Sequence, residues 1–276
     1  MAAPSSTYLL RRDQVEGIRL GSQYLLWQLH LKHLLHPEIP IKDGMTIADI
    51  GAGTGIWALE VANQLPSSSV TAFDIAETHF PRPEFRPSNA KFSLLNSLQA
   101  VPSELIGQFD VVHLRMWAFA VRNDDPSPLI QNAAKMLKPG GYLQWEDARF
   151  ESSIVKGDPA TLFRQMMSQM GNAAKIKFQW LEELDQRVNR ADANLEVVDF
   201  QKKLWLPHHI PLCMDTFLIA LENSGAILDK LKQVEPSVPS TKEWMDALVT
   251  LQEDICKPEG SQLYWPPVTL LARKST

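Results

Sequence analysis

The chain has 276 residues, 45% of them hydrophobic and 21% charged, with a formal net charge of −5. That is enough apolar material for a sizeable single core, and the acidic balance argues against a nucleic-acid partner, whose phosphates need a basic surface. Two cysteines, Cys213 and Cys256, lack a neighbour at metal-ligand spacing, so neither a disulfide framework nor a metal site is expected. Residues 1–12 lack the apolar run of a secretory signal, and no stretch of about 18 uninterrupted apolar residues suggests a membrane partner. A cytoplasmic protein is expected.

Asp13 and Glu16 have capping-box spacing and open a helix predicted to run to about Leu35, before Pro37. Glu16, Arg19, Gln23 and His30 recur every three, four or seven residues as a polar stripe opposite Val15, Ile18, Leu25 and Leu29. Strands follow at 46–50, 70–75, 91–95, 109–114 and 142–145, with helices predicted at 56–65 and 127–137. Strands alternating with helices or loops imply a mainly parallel α/β sheet over residues 46–150.

The C-terminal half reads differently. Asp158-Pro159 starts a helix with Phe163, Met166, Met167 and Met170 on one face. A helix at 180–190, a strand at 195–206, a helical stretch with a capping box at Ser240 and Glu243, and a last strand at 268–274 complete the chain. The segments 151–190 and 207–262 are read as insertions that cap the sheet, with extra core or a dimer interface as open alternatives, and residues 1–45 as a helical lid, all within one domain.

The segment most open to chemical reading is Ile47-Ala-Asp-Ile-Gly-Ala-Gly-Thr-Gly-Ile56. A strand enters, Gly51, Gly53 and Gly55 turn the chain, and a helix leaves, so a ligand would lie outside the carboxyl end of the strand. Ile56 stands where a dinucleotide fingerprint has glycine or alanine, and no P-loop Lys-Ser/Thr follows. Asp49, two residues before the first glycine, repels a pyrophosphate but suits an ammonium group. Asp74 ends the second strand, where a carboxylate can accept both hydroxyls of a ribose. Asn96 and Ser97 are placed to hydrogen-bond an adenine edge, with Ile75 alongside, an ordinary turn asparagine being the other reading of Asn96, and Leu114 and Arg115 come next to the mouth of the fourth strand. His113 is either a satisfied core histidine or a functional one. Glu146, at the end of the fifth strand, is the preferred catalytic base, with His113 second.

Asp-x-Gly-x-Gly-x-Gly, the aspartate ending strand two, and Lys138-Pro-Gly-Gly141 resemble the class I S-adenosylmethionine-dependent methyltransferases. More narrowly, Glu16-x-x-Arg19-Leu20-x-x-Gln23, Phe109-Asp-Val-Val-His-Leu-Arg-Met-Trp117 and Tyr142-Leu-Gln-Trp-Glu-Asp147 resemble fungal secondary-metabolite methyltransferases of the gliotoxin N-methyltransferase type. The motifs cover roughly residues 8–150. The resemblance implies a Rossmann-like, doubly wound seven-stranded sheet whose last strand is antiparallel, and S-adenosyl-L-methionine as cofactor. It also implies methyl transfer to a small molecule; the methionine stripe suggests a largely apolar one. Arg19 or Gln23 would then reach the cofactor's carboxylate. A pericyclase or dehydratase that keeps the cofactor, and a non-catalytic regulator, stand as alternatives, and a homodimer is open.

Overall fold

The computed structural model describes residues 13–276. In chain order the described elements begin with α1 (Gln14–Leu31), β1 (Thr46–Ile50), α2 (Ile56–Gln64), β2 (Ser69–Asp74) and β3 (Ala90–Leu94). They continue with β4 (Phe109–Arg115), α3 (Ser127–Met136), β5 (Leu137–Ala148), β6 (Ile154–Lys156) and α4 (Asp158–Ala173). The remainder are α5 (Gln179–Glu182), α6 (Leu184–Arg190), β7 (Leu195–Lys202), α7 (Ile210–Ser224), α8 (Leu228–Val234), α9 (Thr241–Ile255), β8 (Gln262–Tyr264) and β9 (Pro267–Lys274).

The main sheet has seven strands in the order β3-β2-β1-β4-β5-β9-β7, with β9 antiparallel to both neighbours. The five strands from β3 to β5 are parallel, and β1, β2, β4 and most of β5 are largely buried, so they read as apolar-rich runs, whereas the edge strand β3 is mostly exposed. The order reverses between β1 and β4, and at such a switch point the carboxyl ends leave a crevice for a ligand.

Several boundaries differ from the sequence reading. Helix α1 stops at Leu31 because Lys32 turns left-handed at φ 62°, its N–H donating to the Gln28 carbonyl, well before Pro37. Only half of the expected capping box forms there: the Asp13 carboxylate accepts from the Glu16 N–H, but Glu16 turns its own side chain inward. The box at Ser240 and Glu243 is complete. Strand β5 takes in Lys138-Pro-Gly-Gly141 through a register shift against β4, and pairing with β9 carries it on to Ala148. The helix expected at 180–190 breaks at Glu183 into α5 and α6, and β7 ends at Lys202, not at 206. The two-stranded β6–β8 ribbon, made of three-residue strands in the first expected insertion and at the end of the second, is too short to leave a periodic signal.

The inserted helices are continuous with the main core. Phe150, just after β5, packs on Phe119, Phe178 and Phe217 at ring separations of 4.8–5.4 Å, so α7 and the loop before α5 cover the carboxyl ends of β4 and β5. Phe163 of α4 meets Trp244 of α9 at 4.5 Å. Met166, Met167 and Met170 are buried in this same core, so the stripe expected to line a substrate site is packing. The helical run Pro207–Val234 is long and apolar enough to cross a membrane, but more than half of it is buried in the protein and α7 lies against α1, α9 and β8, as a core helix does.

Candidate functional site

Helix α1 crosses the carboxyl ends of the strands in sequence. A side chain added at Gly17 would meet His79, in the loop after β2, at 3.5 Å, and one added at Gly53 would meet Leu20 at 3.3 Å. Farther along, Tyr24 and Trp27 lie 5.9 and 5.8 Å from the Arg115 guanidinium at the end of β4. The orientation of the helix inverts the usual rule for a surface helix. Glu16, Arg19 and Gln23 are 2%, 3% and 7% exposed, whereas Val15, Ile18, Leu25 and Leu29 face outward. Buried polar groups need partners. Arg19 forms a two-point pair with Glu16 at 2.9 and 2.7 Å, and Asn223 of α7 donates to the same carboxylate at 2.8 Å.

The glycine loop has the backbone its sequence demands. Gly51, Gly53 and Gly55 have φ of 73°, 57° and 70°. A Cβ at Gly51 would lie 2.8 Å from the Trp117 ring, and one at Gly55 2.2 Å from Phe92, so a larger residue at either place would have to displace an aromatic ring as well as hold a left-handed backbone. Asp74 accepts from the Gly53 N–H at 2.9 Å with one oxygen and from the Ala76 N–H at 3.1 Å with the other, which fixes the carboxylate at the loop. Ile75 beside it is exposed.

Asp49 does not present itself to a ligand. The register places Asp49 of β1, His113 of β4 and Gln144 of β5 side by side, and Glu146 lies two residues on. The His113 ring bonds Asp49 through Nδ1 and Glu146 through Nε2, both at 2.7 Å, while Trp57 stacks flat on it at 3.7 Å. Glu146 also accepts from Arg115 at 2.8 Å and from Gln144 at 2.6 Å. Burial alone would lower the His113 pKa, but the charge of Glu146 and the hydrogen bond and charge of Asp49 raise it. Burial would raise that of Glu146, but Arg115 and His113 pull it well below the usual carboxylate range. The result is an imidazolium between two carboxylates. His113 then has no free lone pair, and Glu146 is a poor proton acceptor with both oxygens engaged. The expected catalytic role of either residue does not fit this geometry.

Other expected site residues separate in a similar way. Leu114 is fully buried in the core on the face opposite His113 and Arg115, so its side chain does not line the mouth. Asn96 is exposed and closes a local turn, its side-chain oxygen accepting from the Leu98 N–H at 3.2 Å. Ser97 is buried, and its carbonyl accepts from the Asn132 amide at 2.9 Å. Arg115 keeps one buried guanidinium nitrogen, Nη2, with no hydrogen-bond partner.

Sequence reasoning passed over the turn that follows β4. Met116 is left-handed at φ 58°, a strained conformation for a side chain of this kind. Its N–H donates to the Glu146 carbonyl at 2.9 Å, and the next N–H, of Trp117, donates to the buried Asp147 carboxylate at 2.8 Å. Burial pushes Asp147 up to about 6 even against the hydrogen bonds of Ala148, Trp145 and Trp117. The Trp117 indole donates to the Ile50 carbonyl at 3.1 Å and lies against Gly51.

A cavity of about 560 Å³ opens beside this network, bordered by His30, His33, His36, Gln144, Glu146 and Asp199. Burial lowers the pKa of His30 to about 4 and lowers that of His33, whose Nδ1 is buried without a partner. Among the described residues no group of three His, Cys, Asp or Glu side chains is arranged to hold a metal ion.

The glycine turn, the fixed Asp74 carboxylate, the unpartnered Arg115 nitrogen and the inward polar stripe of α1 suit a ligand with a ribose and a charged amino-acid end. With the seven-stranded order and its antiparallel β9, they define the class of S-adenosylmethionine-dependent methyltransferases. The model of the family described as "Methyltransferase domain" matches residues 25–199, and the chain belongs to that family. It is 35% identical over 156 residues to the methyltransferase grgD of a Penicillium species, covering 53% of this chain and 54% of that protein. It is 32% identical over 142 residues to the N-methyltransferase sirN of Leptosphaeria maculans, covering 51% and 49%. The chain thus spans about half the length of these curated relatives. A Haemonchus contortus phosphoethanolamine N-methyltransferase, solved with phosphomonomethylethanolamine and S-adenosylhomocysteine, shares the fold at a TM-score of 0.59 and 14% identity, covering 99% of this chain and 61% of that one.

Proposed function

We propose that this chain transfers a methyl group from S-adenosylmethionine to a nitrogen, oxygen or sulfur atom of a small natural-product molecule. The observation that carries the reading is helix α1, which lies against the glycine loop and the ends of β2 and β4 through Gly17, Leu20 and Tyr24 and buries Glu16, Arg19 and Gln23 on an adjoining face. When bound, the cofactor supplies a methyl carbon already activated by its sulfonium. The protein's task is then to hold groups in line and exclude water. In this reading α1 is a lid: Arg19 and Gln23 face the cofactor's amino-acid end, and Asp74 faces the ribose. The similarity to the methyltransferase grgD and the N-methyltransferase sirN supports methyl transfer.

The acceptor is placed in the cavity beside Glu146. Its walls mix imidazoles and carboxylates with Leu31, Trp145 and Leu270, which favours a molecule carrying polar groups over a largely apolar one. His33 replaces Glu146 as the proton acceptor, because burial keeps its imidazole neutral near pH 7 and leaves Nδ1 unpaired. The test is incubation with methyl-labelled cofactor and a fungal metabolite extract. Label is expected in small molecules, and His33→Asn is expected to slow its transfer by about 10²–10⁴-fold without loss of cofactor binding. Product formed without label would favour a pericyclic reaction, and label confined to protein or nucleic acid would overturn the reading.

A further inference from the structure

The outer face of α1 carries a pattern that the cofactor groove does not use. Val15, Ile18, Leu25 and Leu29 are 54%, 63%, 51% and 43% exposed. With Ser22 between them they recur at intervals of three, four, three and four residues. That is the 3.5-residue spacing of a seam between two paired helices, narrower than the stripe by which a helix packs onto a globular core. The covering element is therefore a helix.

Two further features say which helix. The seam is nearly symmetric about Ser22: Val15 and Leu29 each lie seven residues from it, and Ile18 and Leu25 four and three. Its ends carry opposite charges, the exposed Asp13 at the start and the exposed Lys32 at the finish. An antiparallel second copy brings Ile18 near the partner's Leu25, Val15 near the partner's Leu29, and Asp13 near the partner's Lys32. A parallel copy would set Asp13 against its own equivalent. At the crossing the residues are small, and a Cβ added at Gly21 would meet nothing within 4 Å, which leaves room for close approach.

We propose that α1 pairs antiparallel with α1 of a second copy of this chain, with the two-fold axis beside Ser22. The contact is small for a specific interface, so the dimer forms in a concentration-dependent way. Because Arg19 and Gln23 sit on the reverse of the same helix, pairing would also steady the inner face of α1 over the strand ends.

Sedimentation equilibrium of the full chain through the micromolar range tests this, together with oxidative cross-linking of Ser22→Cys in a Cys256→Ser background. Reversible dimerisation is expected, and the Ser22→Cys protein should cross-link to a disulfide dimer while Val249→Cys, exposed on α9, should not. Leu25→Glu, at an exposed position, should give a monomer with an unchanged melting temperature. A monomer at every concentration would overturn the proposal, whether the seam is covered by another part of the chain or left bare. A dimer that survives Leu25→Glu, or cross-links equally through Val249→Cys, would place the interface elsewhere and overturn it as well.

Discussion

Asp49 and His113, neighbours across β1 and β4, are joined by a 2.7 Å bond in a buried setting, so the acid before the glycine loop is committed to a histidine before any ligand arrives. The same ring reaches Glu146 on its other side at 2.7 Å. The network joins three adjacent strands of the sheet.

His113→Gln leaves two buried carboxylates with Arg115 as their remaining cation. Breaking one partner out of a buried charge network costs about 3–5 kcal/mol, far more than its burial as a neutral core residue would imply. Denaturant unfolding of the variant should show a loss of that size. A loss of about 1 kcal/mol or less would show that the imidazole is an ordinary core side chain.

The sign of the pH dependence follows. The folded pKa of His113 is raised above its ordinary 6.5, so its contribution to stability is present below that value and is lost as the pH rises through the raised one. Glu146 works the other way: its pKa is lowered from 4.5, so its contribution is present above that value and lost in acid. Unfolding free energy of the wild type should therefore decline from neutral into alkaline pH. The His113→Gln protein should lack this slope; identical slopes in both proteins would remove His113 from the account.

Much of this was legible in the sequence, and the rest was not, for a definite reason. Glycines at 51, 53 and 55 and aspartate at 74 act through local backbone geometry, so their spacing announces them. The bonds of His113 depend on strand register, which places Asp49 and Gln144 beside it from positions 64 residues before and 31 after. No local pattern encodes that. The stripe of Glu16, Arg19 and Gln23 was visible, but a polar stripe has the same periodicity whether it faces water or a groove. Only the packing of α1 on His79, Leu20's contact with the glycine loop, and α7 decides which. Met166, Met167 and Met170 illustrate the converse, since helical spacing of apolar residues marks a buried face without saying that the face is plain core.

Asp74→Asn keeps the shape of the side chain and removes its charge. If the carboxylate accepts the ribose hydroxyls, cofactor affinity should fall by about 1.5–3 kcal/mol, the worth of charge-assisted hydrogen bonds. Thermal unfolding without cofactor controls for the bonds from Gly53 and Ala76. Unchanged affinity would move the ribose elsewhere.

Met167 is 5% exposed within the main core. Met167→Phe should therefore overpack it and cost about 1–3 kcal/mol in unfolding free energy, with no change in the choice of acceptor. A variant of normal stability with altered product profile would return this residue to the substrate site.

The central claim is that the groove beneath α1 holds S-adenosylmethionine. Isothermal titration of the purified chain with S-adenosylmethionine, S-adenosylhomocysteine and NAD tests it most directly. The account predicts one-to-one binding of the two sulfur cofactors, weakened by Gln23→Ala, and no measurable heat from NAD. NAD binding more tightly than S-adenosylmethionine, or no binding of either sulfur compound, would contradict it.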